Sequence, residues 1–303
     1  MVTYDLKMSK VEVLDKFVRV FHTPDEPNLL EAQAAAGLCK VNKRTTKAQR
    51  NRYERLIESN VSKEEVISLE GGTIFEKDMY VLRDKEELND QCINFYLKLL
   101  VKSTQSHWNT IHLFPTNFFQ CFQRTTTKSV KIGSLKLDYF QVRRYTHRFF
   151  EGITHRRLLL FPINVPGHWV LVAVHTRVVG KQVKHDVKFY DSFNMGAVHN
   201  HKEAVKYFLQ QEYEDKPKRN KRTNHTTTYR LMDVTCPEQT NSYDCGVHLC
   251  ANAFSVCHNL PIDTFQKRNM RFFRVHMANS IAAGTLLPLV SYPEVPTKEW
   301  PTV

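Results

Sequence analysis

The chain has 303 residues and a mass of 35.5 kDa, and its 42% hydrophobic and 11% aromatic content suits a globular protein with a substantial core rather than a disordered chain. No run approaches the ~20 apolar residues of a membrane span, and Met1 to Leu14 carries no signal-peptide core, so a soluble protein of the nucleus or cytoplasm is expected. With 43 Lys and Arg against 31 Asp and Glu, the formal net charge of +12 favours acidic partners, whether nucleic acid, anionic membrane or an acidic protein, without choosing among them.

Residues 1–70 read as a separate basic extension, partly helical. Lys40, Lys43, Arg44, Lys47, Arg50, Arg52 and Arg55 crowd one helix there, which fits a solvated face or a nucleic-acid-binding arm. Gly71 and Gly72 mark the start of a domain expected to run over residues 71–285. Thr73 to Leu82 reads as a short strand or extended approach, after which Asn89 and Asp90 open a helix with a buried stripe of Cys92, Ile93, Phe95, Tyr96, Leu99 and Leu100. Residues 108–123, with Trp108, Ile111, Phe114, Phe118, Phe119 and Phe122, have core spacing. Tyr139 to Phe150 reads as an amphipathic helix carrying Arg143, Arg144 and Arg148, closed by Gly152. Strands follow at Leu158 to Ile163, His168 to His175 and Asp186 to Asp191, the last two joined in a hairpin near Gly180. Residues 198–213 read as a helix. Lys216 to Arg222 reads as a basic turn or loop, either simply exposed or an import signal. Tyr229 to Thr235 is a fourth strand, and residues 286–303, punctuated by Pro288, Pro293, Pro296 and Pro301, form an irregular tail.

The chemistry concentrates in residues 236–250. Turn and cap formers there (Cys236, Pro237, Asn241, Ser242, Asp244) run into Gly246, Val247, Leu249, Cys250, Ala251, Ala253 and Phe254 at helical spacing. Cys245 therefore falls at a helix N-terminus, where the dipole and free N–H groups favour the thiolate. Gly246 beside it leaves room for a substrate carbonyl. Taken alone, Cys245 fits a buried core cysteine equally well.

A thiol nucleophile needs a base and a group that orients the base. With the hairpin turn centred between Val179 and Gly180, His168 faces Asp191 directly, Cβ atoms roughly 4.5–5.5 Å apart. A turn shifted by one residue moves the pairing by two positions, still near contact. Asp191 would select the imidazole tautomer and stabilise the imidazolium. Each also has a plainer reading, Asp191 as a strand-end turn former and His168 as a satisfied core histidine. Gln239 has an amide that could join the Cys245 N–H on an oxyanion, and otherwise reads as a loop residue. Trp169 is either core or the wall of a substrate channel. The seven cysteines are irregularly spaced, as suits a reducing compartment. Cys245, Cys250, Cys257, His248 and His258 lack zinc-ligand spacing, so no metal site is expected.

Gly167-His168-Trp169, Phe189-Tyr190-Asp191-Ser192 and Pro237-Glu238-Gln239-Thr240-Asn241-Ser242-Tyr243-Asp244-Cys245-Gly246 together resemble the Ulp/SENP family, cysteine proteases that cleave SUMO and related ubiquitin-like modifiers. The similarity covers roughly residues 75 to 260, including Leu88-Asn89-Asp90 and Phe161 to Asn164. The resemblance implies an α+β, papain-like cysteine protease core with a central mixed sheet flanked by helices. It makes His168, Asp191 and Cys245 the triad and Gln239 the oxyanion donor, with Trp169, Glu87 and Asp90 as the substrate-binding set. Trp169 would cover the modifier's Gly-Gly tail. Many family members place a second tryptophan before the Leu-Asn-Asp triplet, where this chain has Glu87, which leaves the modifier's identity open between SUMO-like and NEDD8-like. The implied activity is cleavage after the modifier's last glycine through a thioester, by a monomer with no metal or organic cofactor and no membrane partner. The same triad also fits a protease with another substrate or an effector-type acetyltransferase. A non-catalytic module binding modifiers or nucleic acid is the reading from another class.

Overall fold

The computed structural model describes residues 51, 65–69, 72–104, 111–146, 153, 156–194, 200–220 and 226–289. The basic helix over Lys40 to Arg55, Gly71, Trp108, Arg148, Gly152, Arg222 and the tail prolines from Pro293 onward lie outside the described residues, Asn51 apart.

The architecture is α+β, built on one five-stranded mixed sheet. Its strands are β3 (Ile111–Leu113), β6 (Leu158–Val165), β7 (His168–Val179), β8 (Gln182–Tyr190) and β9 (Thr226–Val234), in the spatial order β3-β6-β7-β8-β9. The outer pairs β3–β6 and β8–β9 are parallel and the inner pairs antiparallel. Two small hairpins accompany it, β1 (Glu65–Leu69) with β2 (Gly72–Phe75) and β4 (Val130–Ile132) with β5 (Leu135–Leu137).

Strand β7 shows how the layers form. Alternate side chains point to opposite faces of a sheet. Trp169, Leu171 and Ala173 enter one hydrophobic cluster, while Val170, Val172 and Val174 enter the other. A strand apolar on both faces is the mark of a sheet covered on both sides. The first face is covered by α2 (Asp90–Thr104), α6 (Cys245–Cys257) and α7 (Met270–Ala283), with the short α1 (Glu76–Tyr80) at the edge. The second is covered by α3 (Phe118–Phe122), α4 (Tyr139–Val142) and α5 (Asn200–Asn220). Phe114, Phe118, Phe161 and Phe208 form its aromatic centre, with Phe114 stacked on Phe161 at 4.2 Å.

Several elements differ from expectation. Thr73 to Leu82 is strand only as far as Phe75, because Asp78 turns back to accept the Phe75 N–H at 3.1 Å and caps the start of α1. The Tyr139 helix tightens after one turn into a 3-10 segment over Arg143–Thr146. Backbone residues 216–220, expected as a turn or loop, continue α5. Helix α7 has no counterpart in the sequence reading, since Arg274, His276, Asn279 and Ser280 interrupt its apolar stripe. All four are buried. Gly284 ends it at φ 64, a left-handed cap that glycine adopts freely.

Among the described residues, four histidines are pushed toward the neutral form. Burial lowers the pKa of His175, His185 and His248 to about 4 and that of His276 to about 3. In the unfolded chain each would titrate near the usual 6.5, so between pH 6.5 and about 4 the unfolded state binds more protons and stability falls as pH falls. The loss approaches roughly 1.4 kcal/mol per histidine per pH unit. Thermal melts between pH 7 and 4.5 should show a steep decline in Tm. Replacing His175 with Gln should flatten it, and an unchanged slope would count against this origin.

Candidate active site

The nucleophile position follows from α6. Twelve of its thirteen residues are buried, as expected of a helix that is apolar all round. It packs between β7 on one side and α2 and α7 on the other. Its first residue is Cys245, 3% exposed, after the N-cap Asp244.

Gly246 has a different role from the one expected. A Cβ there would stand 2.9 Å from Leu88 Cβ and 3.3 Å from Ile93 Cδ1, so the missing side chain lets the Leu88 segment lie against the start of α6. Leu88 in turn receives the Trp169 indole, whose Nε1 donates to the Leu88 carbonyl at 3.1 Å. Trp169 is thus fixed between the sheet and the segment before α2. Glu87 and Asp90, flanking Leu88 and Asn89, are exposed. Asp90 lines a groove with Gly72, Asn94 and Lys98 that no triad residue lines.

The base and its partner come from the sheet's end. His168 is the first residue of β7 and Asp191 follows β8. The hairpin turn occupies Gly180 and Lys181, with Val179 opposite Gln182 and Leu171 opposite Tyr190. This is one residue later than the expected centre, and Gly180, at φ 58, supplies the left-handed turn position. Extending the register sets Asp191 opposite Val170 and diagonal to His168, a separation side chains still span. His168 Nε2 lies 2.7 Å from Asp191 Oδ1. The same oxygen accepts the Phe193 N–H at 2.9 Å, and the Phe193 ring stands edge-on to the imidazole.

With Nε2 held by Asp191, the other ring nitrogen is left for the thiol, and Cys245 is close enough to act on the basicity of the imidazole. Burial disfavours charge on His168, but hydrogen bonds and negative charge from Asp191 and Cys245 outweigh it and raise its pKa to about 9. Burial makes the other buried thiols poor nucleophiles. Burial pushes Cys236 up to about 11 and Cys257 up to about 12, and raises Cys92 and Cys250 as well.

Gln239 is buried at the same end of the sheet. Its Oε1 accepts from Ser192 Oγ at 2.7 Å, its backbone N–H donates to Ser192 O at 2.8 Å, and its Nε2 donates to Asn241 O at 2.6 Å. The residue after Asp191 therefore orients the amide that precedes the thiol. Asn241 shapes the last turn, its Oδ1 accepting from the Tyr243 and Asp244 N–H groups. Sequence reading assigned no role to Ser192 or Arg274. Asn241 shows in the sequence as a turn former; Arg274 has no local signal, since its partners are distant in sequence.

Two measurements test this geometry. Imidazole NMR should place the His168 titration near pH 9 and at least about one unit lower in Asp191→Asn. Because the folded pKa is the higher one, the stabilisation is complete below about pH 6.5 and is lost as pH rises through about 9; the Tm gap between wild type and Asp191→Asn should close over that window. An unshifted titration in the variant refutes the pairing. Gly246→Ala should destabilise by about 1–3 kcal/mol through overpacking on Leu88, read by chemical denaturation.

Residues 86–286 match the Ulp1 protease family, C-terminal catalytic domain. Sentrin-specific protease 2 of Mus musculus is 32% identical over 215 residues, 69% of this chain and 32% of that protein. Ubiquitin-like-specific protease 1 of Saccharomyces cerevisiae is 24% identical over 204 residues, 66% of this chain and 28% of that protein. The chain thus spans about a third or less of the length of these relatives. The fold is that of the C-terminal Ulp1 protease domain solved by X-ray in complex with Smt3, the yeast orthologue of SUMO, with a TM-score of 0.61 and 20% identity, covering 80% of this chain and 97% of that one. The match over well more than half of the chain means that this protein belongs to the Ulp1 protease family.

Proposed function

We propose that this chain is a cysteine-type isopeptidase and endopeptidase that cleaves after the C-terminal glycine of a ubiquitin-like modifier, SUMO-like in the first instance. The observation that carries this reading is the His168–Asp191 contact at 2.7 Å beside a cysteine at the N-terminus of a buried helix. Relatives named as sentrin-specific and ubiquitin-like-specific proteases support the substrate class. The family match over residues 86–286 supports a catalytic unit over about residues 71–285. Six described cysteines are free thiols, which supports action in a reducing, intracellular setting.

His168 takes the Cys245 thiol proton, Sγ attacks the carbonyl carbon of the terminal glycine, and the carbonyl electrons move onto oxygen. The Cys245 N–H and the Gln239 amide stabilise that oxyanion. As the tetrahedral species collapses, the C–N bond breaks and His168 gives its proton to the leaving lysine amine, or to the peptide amine in precursor processing. The modifier remains as a thioester on Cys245. Water then attacks the thioester while His168 takes its proton, releasing the glycine carboxylate and restoring the thiol and base. Asp191 holds the ring in position and stabilises its positive form throughout. Trp169, next to His168 and hydrogen-bonded to the Leu88 carbonyl, would cover an extended tail of small residues approaching the thiol.

Vinyl sulfone derivatives of SUMO, NEDD8 and ubiquitin, with matching fluorogenic conjugates, test the reading. Wild type should be labelled by at least one, with SUMO fastest, and Cys245→Ala by none. Gln239→Ala should retain labelling with kcat reduced about 10²- to 10³-fold. If wild type reacts with none of the three, the modifier assignment fails, and acetyl-CoA turnover without peptide cleavage would replace it with acyl transfer to an amine.

A further inference from the structure

Arg274 is absent from the triad, yet it is 1% exposed and first by volume among the fully buried side chains. Its guanidinium joins two chain segments nearly 160 residues apart. On one side Nη1 donates to Val81 O at 3.1 Å and Arg83 O at 2.9 Å, and Nη2 donates to Glu86 O at 2.7 Å. On the other, Nη2 donates to Tyr243 O at 3.0 Å, while Nε and Nη2 reach Asp244 Oδ1 at 3.0 and 2.8 Å.

The second set bears on the chemistry. Asp244 is the N-cap of α6, where a carboxylate ordinarily accepts an N–H of the first turn. Here the side chain makes no cap bond. Its Oδ1 is taken by Arg274, and its Oδ2 accepts Asn241 Nδ2 at 2.8 Å. The leading amides of α6, those of Cys245, Gly246 and Val247, therefore receive no cap from it, at the end of the helix that carries the thiol. A free carboxylate swung onto that end would occupy these donors and set a negative charge against a thiolate and an oxyanion alike.

We infer that Arg274 is a positioning residue for the reaction. It draws the Asp244 carboxylate off the N-terminus of α6, keeping the helix amides open to Cys245 and the oxyanion. Through the carbonyls of Val81, Arg83 and Glu86 it also fixes the segment that leads to Leu88 and Trp169. The oxyanion half rests on the protease reading above; the thiol half needs no substrate. His168 from β7, Asp191 after β8 and His248 on α6 all stay in place in the variants below.

The test reads iodoacetamide alkylation at Cys245 in the full chain at pH 7, resolved by peptide mass spectrometry. Arg274→Met should slow it about tenfold, the effect of one interaction worth a single pH unit. Adding Asp244→Asn to Arg274→Met removes the misplaced charge and should restore the rate to within about twofold of wild type. Arg274→Lys keeps the cation but loses the fork that reaches the carbonyls. Its alkylation should match wild type while KM for a processed modifier substrate rises about fivefold or more. A merely structural arginine would leave the double variant as slow as the single one, and that result overturns the inference, as does wild-type alkylation in Arg274→Met. Should Arg274→Met show no thermal transition, Arg274→Lys decides, since wild-type values of both rate and KM overturn the proposal. A wrong substrate reading shows separately, as a wild type that processes no modifier while the alkylation order still holds.

Discussion

A helix buried on every side must still satisfy its ends, and α6 is such a helix. Water cannot reach the first turn freely, so its unpaired N–H groups need either protein acceptors or a ligand. Asp244 supplies its backbone carbonyl to the His248 N–H at 2.9 Å but withholds its side chain. The arrangement leaves donors concentrated around Cys245, and much of the surrounding structure serves to keep it so. Leu88 closes one side against Gly246, β7 brings His168 to another, and the Asn241 turn sets the approach of the chain.

Electrostatics separates one histidine from the rest. His168 and His248 are comparably buried, at 4% and 2% exposure, yet their basicities diverge in opposite directions. Burial lowers both. What differs is a carboxylate at 2.7 Å, made possible because the β7–β8 hairpin ends with Asp191 diagonal to the first residue of β7. Among the described residues His248 Nε2 has no hydrogen-bond partner, and the charge of Asp244 does not offset the cost of burying a proton there. The base is thus selected by sheet register rather than by residue type.

Elements whose signal is local were legible in the sequence. The stripe of α2, the apolar run of β6, the hairpin and the start of α6 depend on period, turn residues and caps, and the structure agrees with them closely. The hairpin arithmetic missed by one residue because Gly180 opens the turn instead of closing it, and the side-chain face was preserved because the shift was even. Features decided by distant partners were not legible. Helix α7 hides behind polar residues whose partners lie far away in sequence, such as the Tyr96 hydroxyl 3.1 Å from His276 Nε2. Gly246 reads as room for substrate until Leu88 is seen to fill it.

The buried Arg274–Asp244 pair carries the last step. A pair of this kind seldom adds net stability over a well-packed apolar replacement, whereas removing one member alone costs about 3–5 kcal/mol. Stability by itself therefore gives little reason to build it. Its geometry gives a better one, since an apolar residue at 274 could fill the space but could neither hold carbonyls at Val81, Arg83 and Glu86 nor hold Asp244 away from the helix end. A lysine could neutralise the carboxylate but not reach both segments at once, because only the planar guanidinium presents donors along two edges. The two walls of the site, the Leu88 segment and the start of α6, are distant in sequence, and this side chain and the Gly246 contact both join them. Movement of either wall must then be felt by the other.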